Sequence, residues 1–358
     1  MPQRTIFLLS IFIFTACNRT GEPAASLAEK YSAYFPIGVA ISKAHMEGHD
    51  TVLIKKHFAS ITAENDMKPE RTINKNGEFT FGAGDQIASF ASENDIMARG
   101  HTLVWYNQTD EWFYRDSMGN LLSKEKMLER LEWYIGEVLD HYRGKVYAWD
   151  VVNEAIAYEP DKMFREDIDW FRICGPEYIE KAFVYAREAD PEVKLFYNDY
   201  NLIDPVKAEK VYKMVKDFQE RGIPIDGIGM QGHWTLEDVT AENLSKSIDL
   251  FASLGLEVQI TELDVSIYPF YHNIAEEYLP KEKRAFTDEI EQMQAKKYAE
   301  IFRVLREKSD KVTNVTFWGL ADNNTWLSNY FVKGRTDYPL LFDTEYQPKS
   351  AFEAIMNF

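Results

Sequence analysis

A chain of 358 residues that is 45% hydrophobic and 14% aromatic can bury a large core, and its length suits one α/β barrel as well as two or three smaller domains. Its 58 acidic residues against 40 basic ones leave a formal charge of -18. That balance argues against a polyphosphate partner such as nucleic acid, whose binding rests on clustered Lys and Arg, and is compatible with a neutral polymer.

At the N-terminus, Arg4 precedes an apolar run from Ile6 to Phe14, followed by Thr15-Ala16-Cys17. A run this short cannot cross a bilayer comfortably, so residues 1–16 are expected to be a signal peptide. Cys17 after a small residue resembles a bacterial lipobox, although Phe14 stands where leucine is usual. Acylation at Cys17 would anchor the exported protein to the cell envelope, at the outer membrane or its periplasmic face; the other reading is a plain cleaved leader. Residues 17–33 are expected to be a tether, rich in Gly, Pro, Ala and Ser, and 34–358 the folded part. The second cysteine, Cys174, is expected to be a packed side chain, so neither a disulfide framework nor a metal set is expected.

Beyond Tyr34, short apolar runs alternate with longer segments of helical period. The runs predict strands at Ile37–Ile41, Ala59–Ala63, Met97–Val104, Val146–Val152, Val193–Tyr197, Gly227–Met230, Glu257–Ile260 and Val312–Trp318. They are apolar on both faces, as buried parallel strands are. Between them, Leu128, Leu131, Ile135, Val138 and Tyr142 share one helical face with Gly144 as a stop. Asp204-Pro205 opens a further helix with Val211, Val215 and Phe218 inward and Gly222 behind it. Leu244, Ile248, Phe251 and Leu254 repeat the pattern before Gly255. Eight such units predict an α/β fold, a single (β/α)8 TIM barrel, with a doubly wound sheet as the alternative.

Chemistry in a barrel sits at the C-terminal strand tips. Here they carry Glu64-Asn65-Asp66-Met67-Lys68, Trp105 with Gln108, Asn153-Glu154, Asn198-Asp199, Gln231-Gly232-His233, Glu262-Leu263-Asp264 and Trp318. Glu154 and Glu262 each follow an apolar strand, and the fourth and seventh strands are expected to face one another across the mouth. Two carboxylates on one cleft are what glycosidases need, one to protonate the leaving oxygen and one to attack or to activate water. A single such glutamate would read as a solvated or ion-paired surface group.

Asp150-Val151-Val152-Asn153-Glu154 and Ile260-Thr261-Glu262-Leu263-Asp264 resemble the two catalytic signatures of the family-ten glycoside hydrolases, retaining endo-β-1,4-xylanases. Gly100-His101-Thr102-Leu103-Val104-Trp105, Glu64-Asn65-Asp66-Met67-Lys68, Gln231-Gly232-His233 and Trp318-Gly319-Leu320-Ala321-Asp322 match further motifs in the family's order, over Phe35 to Phe358. The resemblance implies a double displacement, with Glu262 as nucleophile and Glu154 as acid/base, and carboxyl groups about 5–5.5 Å apart. It also implies that His233 and Asp264 orient the nucleophile and that Asn153 donates to the sugar 2-hydroxyl. Glu64, Asn65 and Lys68 would grip the next sugar, and His101, Trp105 and Gln231 would wall the cleavage subsite. Trp318 and Trp326 would roof the glycone side, with Tyr200 a platform on the leaving side. The implied partner is xylan or xylo-oligosaccharide, bound by a monomer without cofactor. One departure stands out: Tyr106 replaces the histidine that most relatives carry after the motif's Trp, which changes the hydrogen bonding beside the acid/base.

The rival readings are a β-1,4-glucanase or mannanase of related barrel type, a non-catalytic glycan-binding lipoprotein, and a metal-dependent hydrolase using His101 and His233. The last has no close-spaced ligand pair behind it. Gly227-Ile228-Gly229-Met230-Gln231-Gly232 formally matches a nucleotide-binding glycine pattern but overlaps the sixth strand, a chance match. The segment from Tyr268 to Phe286 is expected to shape the leaving-group end, where its aromatics could bind sugar or pack the loop.

Overall fold

The apolar runs form parallel strands whose ladder returns to its starting point. The computed structural model describes residues 26–269 and 279–358. The leader, Cys17 and the loop residues Phe270, Tyr271 and Tyr278 lie outside that part. In chain order the strands are β1 (Ile37–Ile41), β2 (Ser60–Ala63), β3 (Met97–Val104), β4 (Ala148–Asn153), β5 (Lys194–Asp199), β6 (Gly227–Met230), β7 (His233–Thr235), β8 (Glu257–Ser266) and β9 (Val312–Phe317). Around the ring the order is β1, β2, β3, β4, β5, β6, β8, β9, and β9 pairs with β1 again. This is the predicted eight-stranded barrel, with helices outside the ring.

Several details differ from the sequence expectation, beyond single-residue shifts at the start of β2 and the end of β9. Strand β8 runs on to Ser266, six residues past Ile260, because a short extra strand, β7, pairs with its second half: His233 opposite Asp264, Trp234 opposite Val265, Thr235 opposite Ser266. Glu262 therefore lies inside a strand, and only Glu154 follows one. Strands β4 and β5 start one or two residues later than expected and end later, at Asn153 and Asp199. Finally, β4 and β8 are separated by β5 and β6 along the shorter arc, so the two glutamates meet across a chord rather than a diameter.

The helices pack as their patterns predict. In Lys124–Tyr142 the buried face includes Leu131, Ile135, Val138 and Tyr142, while Leu128 is half-buried. Helix Pro205–Glu220 starts at Asp204, whose Oδ1 accepts from the backbone N–H of Val206 (3.0 Å) and Lys207 (2.9 Å). Removing such a cap costs about 1 kcal/mol. Its Val211, Val215 and Phe218 are buried as expected, but so are Lys207 and Lys210, which a simple amphipathic pattern would leave in water. Cys174 is buried, and burial pushes its thiol up to about 12, so it is a packing residue.

Alternation along β4 sends Trp149 outward against Tyr142 of helix Lys124–Tyr142, ring centroids 5.8 Å apart, and Asp150 inward. Inside the ring Asp150 accepts from both terminal nitrogens of Arg99, each at 2.5 Å, and Arg99 Nε donates to Gln259 at 2.9 Å. The pair is wholly buried. A buried charge pair stabilises only when its polar atoms are satisfied, and losing one partner destabilises by about 3–5 kcal/mol. This pair forms the floor of the site: Asp150 Oδ2 also meets His101 Nδ1 at 2.8 Å.

Candidate active site

The C-terminal tips enclose a cleft of about 440 Å³. Every predicted site residue in the described part lines it except Asp264, which stands behind His233. Tyr106 and Gln108, which the sequence puts beside the acid/base and at a strand tip without a substrate role, line it too, as do Asn107, Arg165, Tyr330 and Phe331, which it does not single out.

Glu262 is held by charge. Its Oε1 accepts from Asn198 Nδ2 at 2.7 Å and its Oε2 faces His233 Nε2 at 3.2 Å. His233 Nδ1 donates to Asp264 Oδ2 at 2.9 Å, and the same oxygen accepts from Trp326 Nε1 at 2.8 Å. Burial alone would neutralise His233, yet the two carboxylates on its nitrogens raise it from 6.5 to about 10, so it is an imidazolium that donates from both sides. Burial likewise works against the charge of Glu262, but His101 and His233 beside it hold its carboxyl below the ordinary glutamate value. Trp326, expected only as an aromatic roof, is thus also an anchor of this dyad. Trp318 meets the imidazole of His101 edge-on at 5.2 Å.

Glu154 is held by neutral donors. Oε2 accepts from Trp105 Nε1 (3.2 Å) and from the Tyr106 hydroxyl (3.1 Å), while Oε1 accepts from Gln231 Nε2 (2.9 Å) and meets Asn153 Nδ2 at 3.4 Å. Burial, then the charge of Glu154, push the Tyr106 phenol well up, so it stays protonated. Tyr106 therefore supplies a hydrogen bond where the sequence left the local bonding open.

The two carboxylates are joined through side-chain amides. Asn153 Oδ1 accepts from Gln231 Nε2 (3.1 Å), which also reaches Glu154, and from Asn198 Nδ2 (2.9 Å), which also reaches Glu262. Asn198 stands on β5 and Gln231 just past β6, the two strands that separate β4 from β8. Gly229 makes room for this bridge: a Cβ there would lie 2.3 Å from Asn198 Oδ1. The glycines of the formal nucleotide pattern are packing residues.

On one side of the pair, Lys68 Nζ donates to Asn65 Oδ1 (3.0 Å) and Gln108 Oε1 (2.8 Å) and lies 4.7 Å from the Trp105 ring centre. Asn65 Nδ2 in turn donates to Glu64 Oε1 at 3.2 Å. The three residues expected to grip a sugar thus form one hydrogen-bonded cluster on the cleft wall, joined by Gln108. Around Glu154, the Arg165 guanidinium lies 4.6 Å from the Tyr106 ring centre and donates to the Tyr200 hydroxyl at 2.7 Å. Tyr330, 62% exposed, stands edge-on to Trp326 at the rim, their centroids 4.7 Å apart. Tyr268 is buried, and its hydroxyl accepts from the Arg284 backbone N–H at 2.7 Å. It packs the loop instead of facing the cleft. Arg165, Tyr330 and Phe331 escaped the sequence reading because they fall in long aperiodic connections; their aromatic or cationic character was the only available signal.

The arrangement combines one carboxylate held anionic, a second ringed by neutral donors, and flanking sugar-sized polar and aromatic surfaces. The family model for glycosyl hydrolase family 10 matches residues 26–358. Among curated relatives, the β-1,4-xylanase of Dictyoglomus thermophilum is 49% identical over 338 residues, covering 94% of this chain and 92% of the relative. Endo-1,4-β-xylanase A of Caldicellulosiruptor saccharolyticus is 45% identical, covering 93% and 96%. The crystal structure of an endo-1,4-β-xylanase from Caldicellulosiruptor owensensis superposes with a TM-score of 0.87 at 46% identity, covering 93% of this chain and 100% of that one. A mutant solved in complex with xylotriose superposes with a TM-score of 0.87 at 45% identity, again covering 93% and 100%. With a family match over almost its whole length and relatives this similar, the chain belongs to glycosyl hydrolase family 10.

Proposed function

We propose that this protein is an endo-1,4-β-xylanase that cleaves xylan with retention of anomeric configuration, using Glu262 as nucleophile and Glu154 as acid/base. The observation that carries the assignment is the unequal treatment of the two carboxylates: His101 and a protonated His233 favour the anion of Glu262, while an amide bridge ties it to a Glu154 whose hydrogen-bond donors are neutral. In the first step a Glu262 oxygen bonds to the anomeric carbon as the bond from that carbon to the glycosidic oxygen breaks, and Glu154 gives its proton to that oxygen. In the second, water loses a proton to Glu154 and attacks the same carbon, and the ester to Glu262 breaks. Asn153, which lines the cleft beside Glu154, serves the 2-hydroxyl of the sugar being cleaved. Lys68, Asn65 and Glu64 hold the neighbouring sugar, with Gln108 supporting Lys68. His101, Trp105 and Gln231 wall the cleavage subsite under Trp318 and Trp326, and Tyr200 stands on the leaving side with Glu154.

Proton NMR of xylotetraose hydrolysis tests the reading directly. The newly formed reducing end should appear as the β-anomer before mutarotation, and aryl β-xylobioside should be turned over much faster than aryl β-cellobioside. An initial α-anomer would overturn the double displacement; equal turnover of the two glycosides would overturn the xylan assignment in favour of a glucanase. The N-terminal pattern supports export with a lipid on Cys17. The Cys17→Ser protein should then leave the membrane fraction, and its retention there would remove the anchor.

A further inference from the structure

Glu154 occupies a left-handed backbone conformation, φ +57, that a residue with a Cβ adopts only when its surroundings enforce it. The bend carries the chain off β4 and leaves the next two amides, those of Ala155 and Ile156, without a strand partner at that point. Both donate to a single atom, the hydroxyl oxygen of Tyr197 on β5, each at 3.1 Å. That hydroxyl donates in turn to Asp199 Oδ2 at 2.6 Å, and Asp199 Oδ1 accepts from Lys207 Nζ at 2.6 Å and from the Tyr200 backbone N–H at 2.9 Å. Tyr197, Asp199 and Lys207 are all buried. Lys207 also sits 3.3 Å from the Tyr200 ring centre. One turn on, Lys210 Nζ donates to the backbone oxygens of Ala157, at 3.1 Å, and Glu159. Helix Pro205–Glu220 thus grips the segment that follows Glu154 with two lysines, one directly and one through a carboxylate and a phenol.

A buried ammonium–carboxylate pair is a poor source of net stability, because desolvation offsets most of the attraction. Its direction here is informative. The charge on Asp199 fixes the Tyr197 O–H as donor toward it, which turns the oxygen lone pairs to the two amides beyond Glu154. We propose that Tyr197, Asp199 and Lys207 are positioning residues for proton transfer, holding the main chain at 154–156 so that the Glu154 carboxyl meets the leaving oxygen. The inference rests on the acid/base role of Glu154 given above.

Leaving-group dependence separates this from simple support of the fold. A 2,4-dinitrophenyl β-xylobioside needs little protonation to depart, whereas xylotetraose needs a full proton transfer. For Tyr197→Phe, kcat/KM on xylotetraose should fall about 10- to 100-fold, as partial loss of acid catalysis does. On the dinitrophenyl substrate it should stay within about 3-fold, while kcat falls with KM as the glycosyl-enzyme waits for a misplaced base. Azide should restore that kcat. Lys207→Met should shift the ratio of the two kcat/KM values the same way. Because each ratio is taken on one preparation, partial unfolding cancels from it. A parallel fall on both substrates, or no change on either, would overturn the positioning role. Glu154→Ala is the reference: if it showed no leaving-group dependence, the acid/base assignment itself would be the part that failed.

Discussion

Glu262 lies inside a strand, with β7 hydrogen-bonded along one flank of that strand's second half, and its carboxyl meets an imidazolium; Glu154 lies one residue past a strand, on a left-handed bend, and its carboxyl meets only neutral donors. The contrast fits the roles proposed for the two groups in a double displacement. A nucleophile keeps one charge state until it forms a bond, so a fixed counter-charge serves it. An acid/base gains and loses a proton within each turnover, and a fixed cation in direct contact would bias it toward one form. Neutral donors orient the carboxyl with a smaller bias. The rigid, charged half and the bent, neutral half answer two different demands made within one cleft.

Removing either carboxylate should break the comparison most completely, but unequally. Glu262→Ala should reduce kcat on xylan by a factor on the order of 10⁴–10⁶, whatever the leaving group, measured as reducing-sugar release. Glu154→Ala should lose about 10²–10⁴-fold in kcat/KM on xylotetraose. A loss as large on the dinitrophenyl xylobioside would show that both residues serve the same step.

Exchanging the charged partner sharpens the contrast. His233→Asn removes a hydrogen bond to a charged group, worth about 1.5–3 kcal/mol, and should lower kcat/KM roughly 10- to 100-fold. It should also move the acid limb of the kcat/KM profile to higher pH, because one of the two histidines that hold Glu262 below its ordinary value, His101 and His233, is gone. In the wild type the raised histidine adds stability that is complete below its ordinary 6.5 and disappears as pH climbs through about 10. The unfolding midpoint should decline across that window, and less so in His233→Asn. Tyr106→Phe is the smallest change. Loss of one neutral hydrogen bond of about 0.5–1.5 kcal/mol should lower kcat/KM on xylotetraose only several-fold and leave the acid limb in place. A moved acid limb would show that Tyr106 also acts on Glu262.

The barrel was legible because its strands are apolar on both faces and its helices carry clear caps, such as Asp204, and stops, such as Gly222 with φ +74. Strand β8 outruns its apolar stretch because Thr261, Glu262, Asp264 and Ser266 break the run, while the three residues of β7 pair with that polar half on one side and Phe317 of β9 meets Leu263 on the other. Three residues carry no period to detect. The grouping of Glu154 with Glu262, of His233 with Asp264 and of Asn65 with Lys68 was legible as motifs at strand tips. The amide bridge was not, since the role of Asn198 depends on a 2.7 Å approach to a residue 64 positions away. Lys207 reads as a surface lysine in a mostly polar helix, and nothing short of the fold reveals the carboxylate buried beneath it.

The pairing of His233 directly opposite Asp264 has a consequence for how such a protein can change. Their spacing is set by the repeat of the main-chain ladder, so the histidine and its carboxylate travel with the barrel wall, while the connection above adds the Trp326 indole that bonds the same Asp264 oxygen. A substitution at the exposed rim residue Tyr330 therefore leaves in place the main-chain ladder that sets His233 opposite Asp264. The pairing of the dyad and the entrance to the cleft are carried by different parts of the chain, one by a short ribbon of sheet and the other by a connection.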